Sequence, residues 1–122
     1  MNPGKIKAEW QDLRDRLHKE AVAEKCAQRA ILDLSREYMA RPAAEREIID
    51  STLAEWVLSD NESVRFDALA LIYEYEIIST LPTLRQLLER LEKSTAPSAP
   101  YEMAKVMRII GKLTANGLAS PD

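Results

Sequence analysis

Ser59-Asp60-Asn61-Glu62-Ser63-Val64-Arg65-Phe66-Asp67-Ala68-Leu69-Ala70-Leu71-Ile72 decides the fold. A polar turn opens the stretch, and either Asp60 or Asn61 can accept backbone N–H bonds there as a helix N-cap. The residues that follow repeat at helical spacing. Val64, Ala68, Leu71 and Tyr75 form one row; Phe66, Ala70, Tyr73 and Ile77 form another; Leu69 and Ile72 lie between them. Asp67 and Glu74, helped by Ser63, keep a narrow polar line. A helix apolar nearly all round is buried on several sides, so a central helix is predicted over about 62–77.

Downstream, Ser79 or Thr80 is placed to cap a helix that runs to about Lys93, with Pro82 in its first turn, where no backbone donor is lost. Leu81, Leu84, Leu87, Leu88 and Leu91 give that helix its apolar face. Ser94-Thr95-Ala96-Pro97-Ser98-Ala99-Pro100 is a linker, and Ser98 can cap a last helix. That helix carries Tyr101, Met103, Val106, Met107, Ile109, Ile110 and Leu113, and Asn116-Gly117 reads as its stop.

Upstream, a helix is predicted from about Ala43 to Leu58, with Ile48, Ile49, Thr52, Leu53, Trp56 and Val57 facing the core. Pro42 separates it from the region before, since the residue preceding a proline disfavours helix. From Lys5 to Arg41 there is neither Gly nor Pro. Ile6, Trp10, Leu13 and Leu17 form one stripe, and Ala23, Ala27, Ala30, Ile31, Leu34 and Tyr38 form a second. The phase drifts across His18-Lys19-Glu20, which predicts two helices or one bent helix. Every apolar spacing is helical, so an all-α chain of about five or six helices is expected.

A length of 122 residues fits one domain. The expected division is 1–41 as N-terminal capping helices, 43–77 and 79–115 as two helix pairs, and 116–122 as a frayed tail. The lone Cys26 excludes an internal disulfide and suits a reducing compartment; its alanine neighbours suggest a half-buried thiol. No apolar run approaches a membrane span, and Met1 to Lys7 lack the apolar core of a signal peptide. A cytoplasmic location is the expectation. Charge is uneven: residues 48–93 carry four Lys/Arg against nine Asp/Glu, while the flanking segments are each +1. An acidic middle repels nucleic-acid phosphates and attracts basic partners.

The polar turn into Val64-Arg65-x-x-Ala68, followed by Leu81-Pro82-x-Leu84, resembles a HEAT or armadillo helical repeat over about 43–115. The first helices of the two pairs align with Thr83-Leu84 set 31 residues after Thr52-Leu53. The second helices align with Val106-Met107 set 38 after Ala68-Leu69. The resemblance implies a right-handed α-solenoid stack of antiparallel helix pairs. It also implies that Asp60 or Asn61 and Arg65 are structural, because in such repeats the turn Asp and the helix-start Arg pair across neighbours. Small acidic HEAT-like proteins further resemble bacterial immunity proteins, which neutralise a cognate toxin.

Enzyme chemistry finds no support in the sequence. His18 has no evident partner, one Cys and one His cannot make a usual zinc site, and no phosphate loop, nucleophile elbow or His-Glu-x-x-His pattern occurs. No cofactor or metal is expected. Lys105, Arg108 and Lys112 form a small basic group that reads as only partly on one face. Nucleic acid is therefore disfavoured, and no segment has the basic amphipathic form of a membrane-surface helix. The expected function is non-enzymatic protein binding, as an immunity protein facing a basic toxin domain or as an adaptor in a larger complex. The expected partner-binding residues are the acidic line Glu62, Asp67 and Glu74, flanked by Phe66 and Tyr73, since aromatics beside charges are the types that anchor interfaces.

Overall fold

In order along the chain run α1 (Pro3–Ala23), α2 (Ala27–Ala40), α3 (Ala43–Val57), α4 (Glu62–Tyr75), a 3₁₀ turn (Ile78–Thr80), α5 (Leu81–Glu92) and α6 (Ala99–Ala119). The structure is a computed structural model and describes residues 2–119. Among the described residues there are six α-helices and no strand, so the chain is all-α. None of these helices is long and apolar enough to cross a membrane. The chain divides into two compact units, Met1–Thr52 and Leu53–Asp122, with the boundary inside α3.

In the first unit α1 begins where the Asn2 side chain accepts the Lys5 backbone N–H, with Pro3 in the first turn, where its missing N–H costs nothing. Ile6, Trp10, Leu13, Leu17 and Ala21 of α1 are buried, as are Ala30, Leu34 and Tyr38 of α2. The Trp10 and Tyr38 rings meet edge to face, with centroids 6.5 Å apart, a geometry that suits the ring quadrupoles. Tyr38 O–H donates to Asp50 Oδ1 at 2.6 Å and so ties α2 to the first half of α3. Burial pushes the Asp50 carboxyl above its ordinary value. The Tyr38 hydrogen bond and the Arg46 charge oppose that rise, and the Glu47 charge adds to it.

The break between α1 and α2 lies at Glu24–Cys26, six residues after the phase drift that marks it in the sequence. It is a Schellman turn built without glycine. Lys25 adopts φ 56°, Lys25 N–H donates to Val22 O (3.1 Å), and Cys26 N–H donates to Ala21 O (2.9 Å). Arg29 pairs with Glu24 across this turn and with Asp33 one helical turn further on. Ala23, expected in the second stripe, is exposed because α1 continues past Leu17 with Ala21 as its last buried residue. Cys26 sits in the turn and is exposed, not half-buried.

In the second unit Leu53, Trp56 and Val57 of α3 are buried, with Val64, Ala68, Leu69, Leu71 and Ile72 of α4, Leu84, Leu87 and Leu91 of α5, and Val106, Ile109 and Leu113 of α6. Asn61, not Asp60, caps α4: its Oδ1 accepts from Ser63 N–H at 2.9 Å and Val64 N–H at 3.3 Å. Thr80 precedes α5, but its hydroxyl donates back to Ile77 O at 2.7 Å and leaves the helix start without a side-chain cap. α6 runs through Asn116-Gly117 to Ala119, so those two residues do not stop it. Of the expected tail, 116–119 is helix and 120–122 lies outside the described residues.

Candidate functional site

α4 and α6 carry the features of a site. Arg65, at the start of α4, donates from Nε to Glu102 Oε2 (2.6 Å) and from Nη2 to Glu102 Oε1 (2.9 Å) near the start of α6. Its Nη1 donates to Ser59 O at 2.9 Å. One guanidinium thereby fixes the α3–α4 turn and the α4–α6 pairing, and the bond to Glu102 raises the Arg65 pKa above its ordinary value. The side-chain partner of Arg65 is Glu102, not the turn Asp that the repeat resemblance implies.

Further along the pair, the Lys105 ammonium lies 4.2 Å from the Phe66 ring centroid, and Lys112 lies 3.8 Å from that of Tyr73. Both pairs are 39 residues apart, so the two helices run in the same direction. Lys112 Nζ also donates to Tyr73 O at 2.9 Å. That carbonyl lies in the last turn of α4, where helix carbonyls lose their intrahelical partners. The backbone N–H of Glu76, in the left-handed region at φ 51°, goes to Ile72 O. Lys112 takes the carbonyl that a Schellman turn would otherwise fill, which pins a cation at the negative end of the helix dipole.

Between the two rows lies an open groove of about 230 Å³, lined by Phe66, Leu69, Ala70, Tyr73, Lys105, Arg108 and Ile109. A neighbouring hollow of about 120 Å³ continues it toward Glu62, Ser98 and Tyr101. Phe66 is 49% exposed, Tyr73 40% and Tyr101 82%. The floor is apolar and the α6 wall is cationic. No protein-family model matches the chain, and neither curated proteins nor solved structures provide a match.

The expected site residues fall into two groups. Glu62, Phe66 and Tyr73 share the hollow and groove on α4. Asp67 is only 2% exposed and cannot belong to a solvent-facing acidic line. Its neighbours Val64, Ala68 and Leu71 are buried on the same side of α4, and one turn of that face carries Asp67 inward with them. Glu74 is exposed but does not line the groove. The sequence marks Lys105, Arg108 and Lys112 as a basic group only partly on one face and does not place them in the site. Lys105, Arg108 and Lys112 stand 3 and 4 residues apart, which is one stripe of a helix, and the structure sets all three beside the α4 aromatics. Of the apolar residues that α6 carries, Tyr101 and Met107 are exposed.

Among the described residues no group of three or more His, Cys, Asp or Glu could hold a metal ion. The carboxylates lining the hollow among the described residues are Glu62 and Glu102, and both Glu102 oxygens accept from Arg65.

Proposed function

We propose that this chain is a non-enzymatic protein-binding module, and that the α4–α6 groove is where its partner docks. The observation that carries this reading is the exposed aromatic pair Phe66 and Tyr73, held beside cations on a rigid two-helix platform. Large aromatic side chains half-open to water, with an apolar floor between them, are the residue types that dominate binding energy at interfaces. A surface already fixed by Arg65–Glu102 and Lys112–Tyr73 bonds loses little freedom on binding.

The helical-repeat reading belongs to this proposal. The second helices of the two pairs align in sequence at a spacing of 38, and α4 and α6 pair side by side, in the same direction, at spacings of 37 and 39. That agreement supports treating them as equivalent helices of successive repeats, the helices that line the binding face in HEAT-type stacks. Neutralisation of a toxin and service as an adaptor are the two forms the reading takes.

Affinity purification with the tagged chain, beside a Phe66→Ala/Tyr73→Ala variant, tests it. A protein recovered by the parent and lost from the variant is the expected result. A toxin-like partner assigns immunity, and a multi-subunit assembly assigns an adaptor. Nucleic acid held through moderate salt would replace the proposal.

A further inference from the structure

The charge of the groove says which kind of segment it receives. Resting on the docking reading above, we infer that the groove takes an acidic amphipathic segment of a partner protein, with its apolar side chains between Phe66 and Tyr73 and its carboxylates on Lys105 and Arg108. Lys105 and Arg108 line the α6 wall, with Lys112 beyond them on the same helix, and the described residues place no carboxylate in ion-pair contact with any of the three. Glu102, one turn before Lys105, has both oxygens on Arg65. Glu62 lines the hollow at the end of the groove nearest the start of α4, where its charge also acts on Arg65. The chain as a whole is acidic at −3, so this strip is a local reversal of sign.

The spacing suits a helix or an extended strand of side chains. Lys105 and Arg108 stand three residues apart, roughly 4.5 Å at the helical rise, which is about one turn of an opposing helix. Carboxylates one turn apart on such a segment meet Lys105 and Arg108, and an apolar residue beside them faces Leu69, Ala70 and Ile109. This is the helix-in-groove mode, with charge setting orientation. Lys112 is held by Tyr73 O, so Lys105 and Arg108 are the two cations able to follow a partner.

Single-stranded nucleic acid fits less well. An acidic residue at the groove mouth repels a phosphate chain that must pass it.

Selection of displayed random peptides against the full chain tests the inference. The enriched peptides should be net acidic and carry a bulky apolar residue, and the best of them, labelled, should bind more weakly as salt rises. Lys105→Glu with Arg108→Glu should weaken that peptide by about tenfold or more, and Glu62→Lys should strengthen it, with unchanged circular dichroism throughout. Should the double reversal fail to fold, Lys105→Gln with Arg108→Gln gives the same comparison with a smaller loss. Enrichment of neutral or basic peptides, or acidic peptides indifferent to these changes, overturns the inference and leaves the protein-binding reading standing. No peptide enrichment, together with oligothymidylate binding that is lost on Lys105→Glu, overturns both.

Discussion

Arg65 and Glu102 form a two-pronged ion pair, 2.6 and 2.9 Å, across 37 residues of chain. Both side chains are largely buried, so each would be left without its partner in poorly solvated surroundings if the other were removed. Glu102→Ala should therefore cost about 1.5–3 kcal/mol, the range for hydrogen bonds to charged groups. Arg65→Lys should lose a large part of the same amount, because an ammonium cannot reproduce the fork. Urea unfolding checks both; midpoints equal to the parent's would show that the pair does not hold α4 to α6.

Asp50 gives a pH dependence of known sign. Its carboxyl is raised above the ordinary value chiefly by burial, so the fold favours the protonated form. That contribution is fully present below the ordinary Asp value and is lost as pH rises through the raised one. Asp50→Asn keeps an acceptor for Tyr38 O–H and removes the titration. The stability of the parent relative to this variant should fall as pH climbs from acid toward neutral. A difference that grows over that interval would contradict the burial account.

Asp67 and Glu74 separate when each is changed alone. Asp67→Lys buries an ammonium among Val64, Ala68 and Leu71, and should destabilise by about 3 kcal/mol or more. Glu74→Lys, on an exposed position, should stay within about 0.5 kcal/mol of the parent. Thermal melts of the two single variants decide this; equal behaviour would place Asp67 at the surface.

Glu76 holds the left-handed backbone at the end of α4 without being glycine. Side chains with a Cβ pay roughly 1–2 kcal/mol there, part of which is returned by the greater freedom of an unfolded glycine. Glu76→Gly should raise stability by up to about 1 kcal/mol. A lower urea midpoint in that variant would mean the turn is not strained.

Helices were legible in the sequence wherever apolar spacing carried them. Ala68, Leu71 and Ile72 are buried as their rows require, and Asn61 caps α4 as its place in the turn allows. The ends that went unread are those closed by unusual residues. Lys25 and Glu76 make left-handed turns that nothing in their residue type announces, so the apolar pattern puts the α1–α2 break too early and carries α4 to Ile77. Gly117, the usual stop signal, was read through by α6. Half of the groove was legible in the same way. Phe66 and Tyr73 stood out as aromatics flanking charge, but the inward turn of Asp67 depends on which α4 face packs, and the cations come from a helix 39 residues away. Local pattern carries no record of that pairing. Arg65–Glu102 is the same kind of contact, formed by tertiary packing between residues with no shared periodicity.

The central claim is that the α4–α6 groove is a docking surface, and the most direct measurement is calorimetric titration of the parent and of Phe66→Ala/Tyr73→Ala with the protein that co-purifies with the parent. The account predicts at least a tenfold loss of affinity, about 1.4 kcal/mol, with the helical content and melting temperature of the variant close to the parent's because both rings are 40% or more exposed. A well-folded variant that binds with the parent's affinity would contradict it.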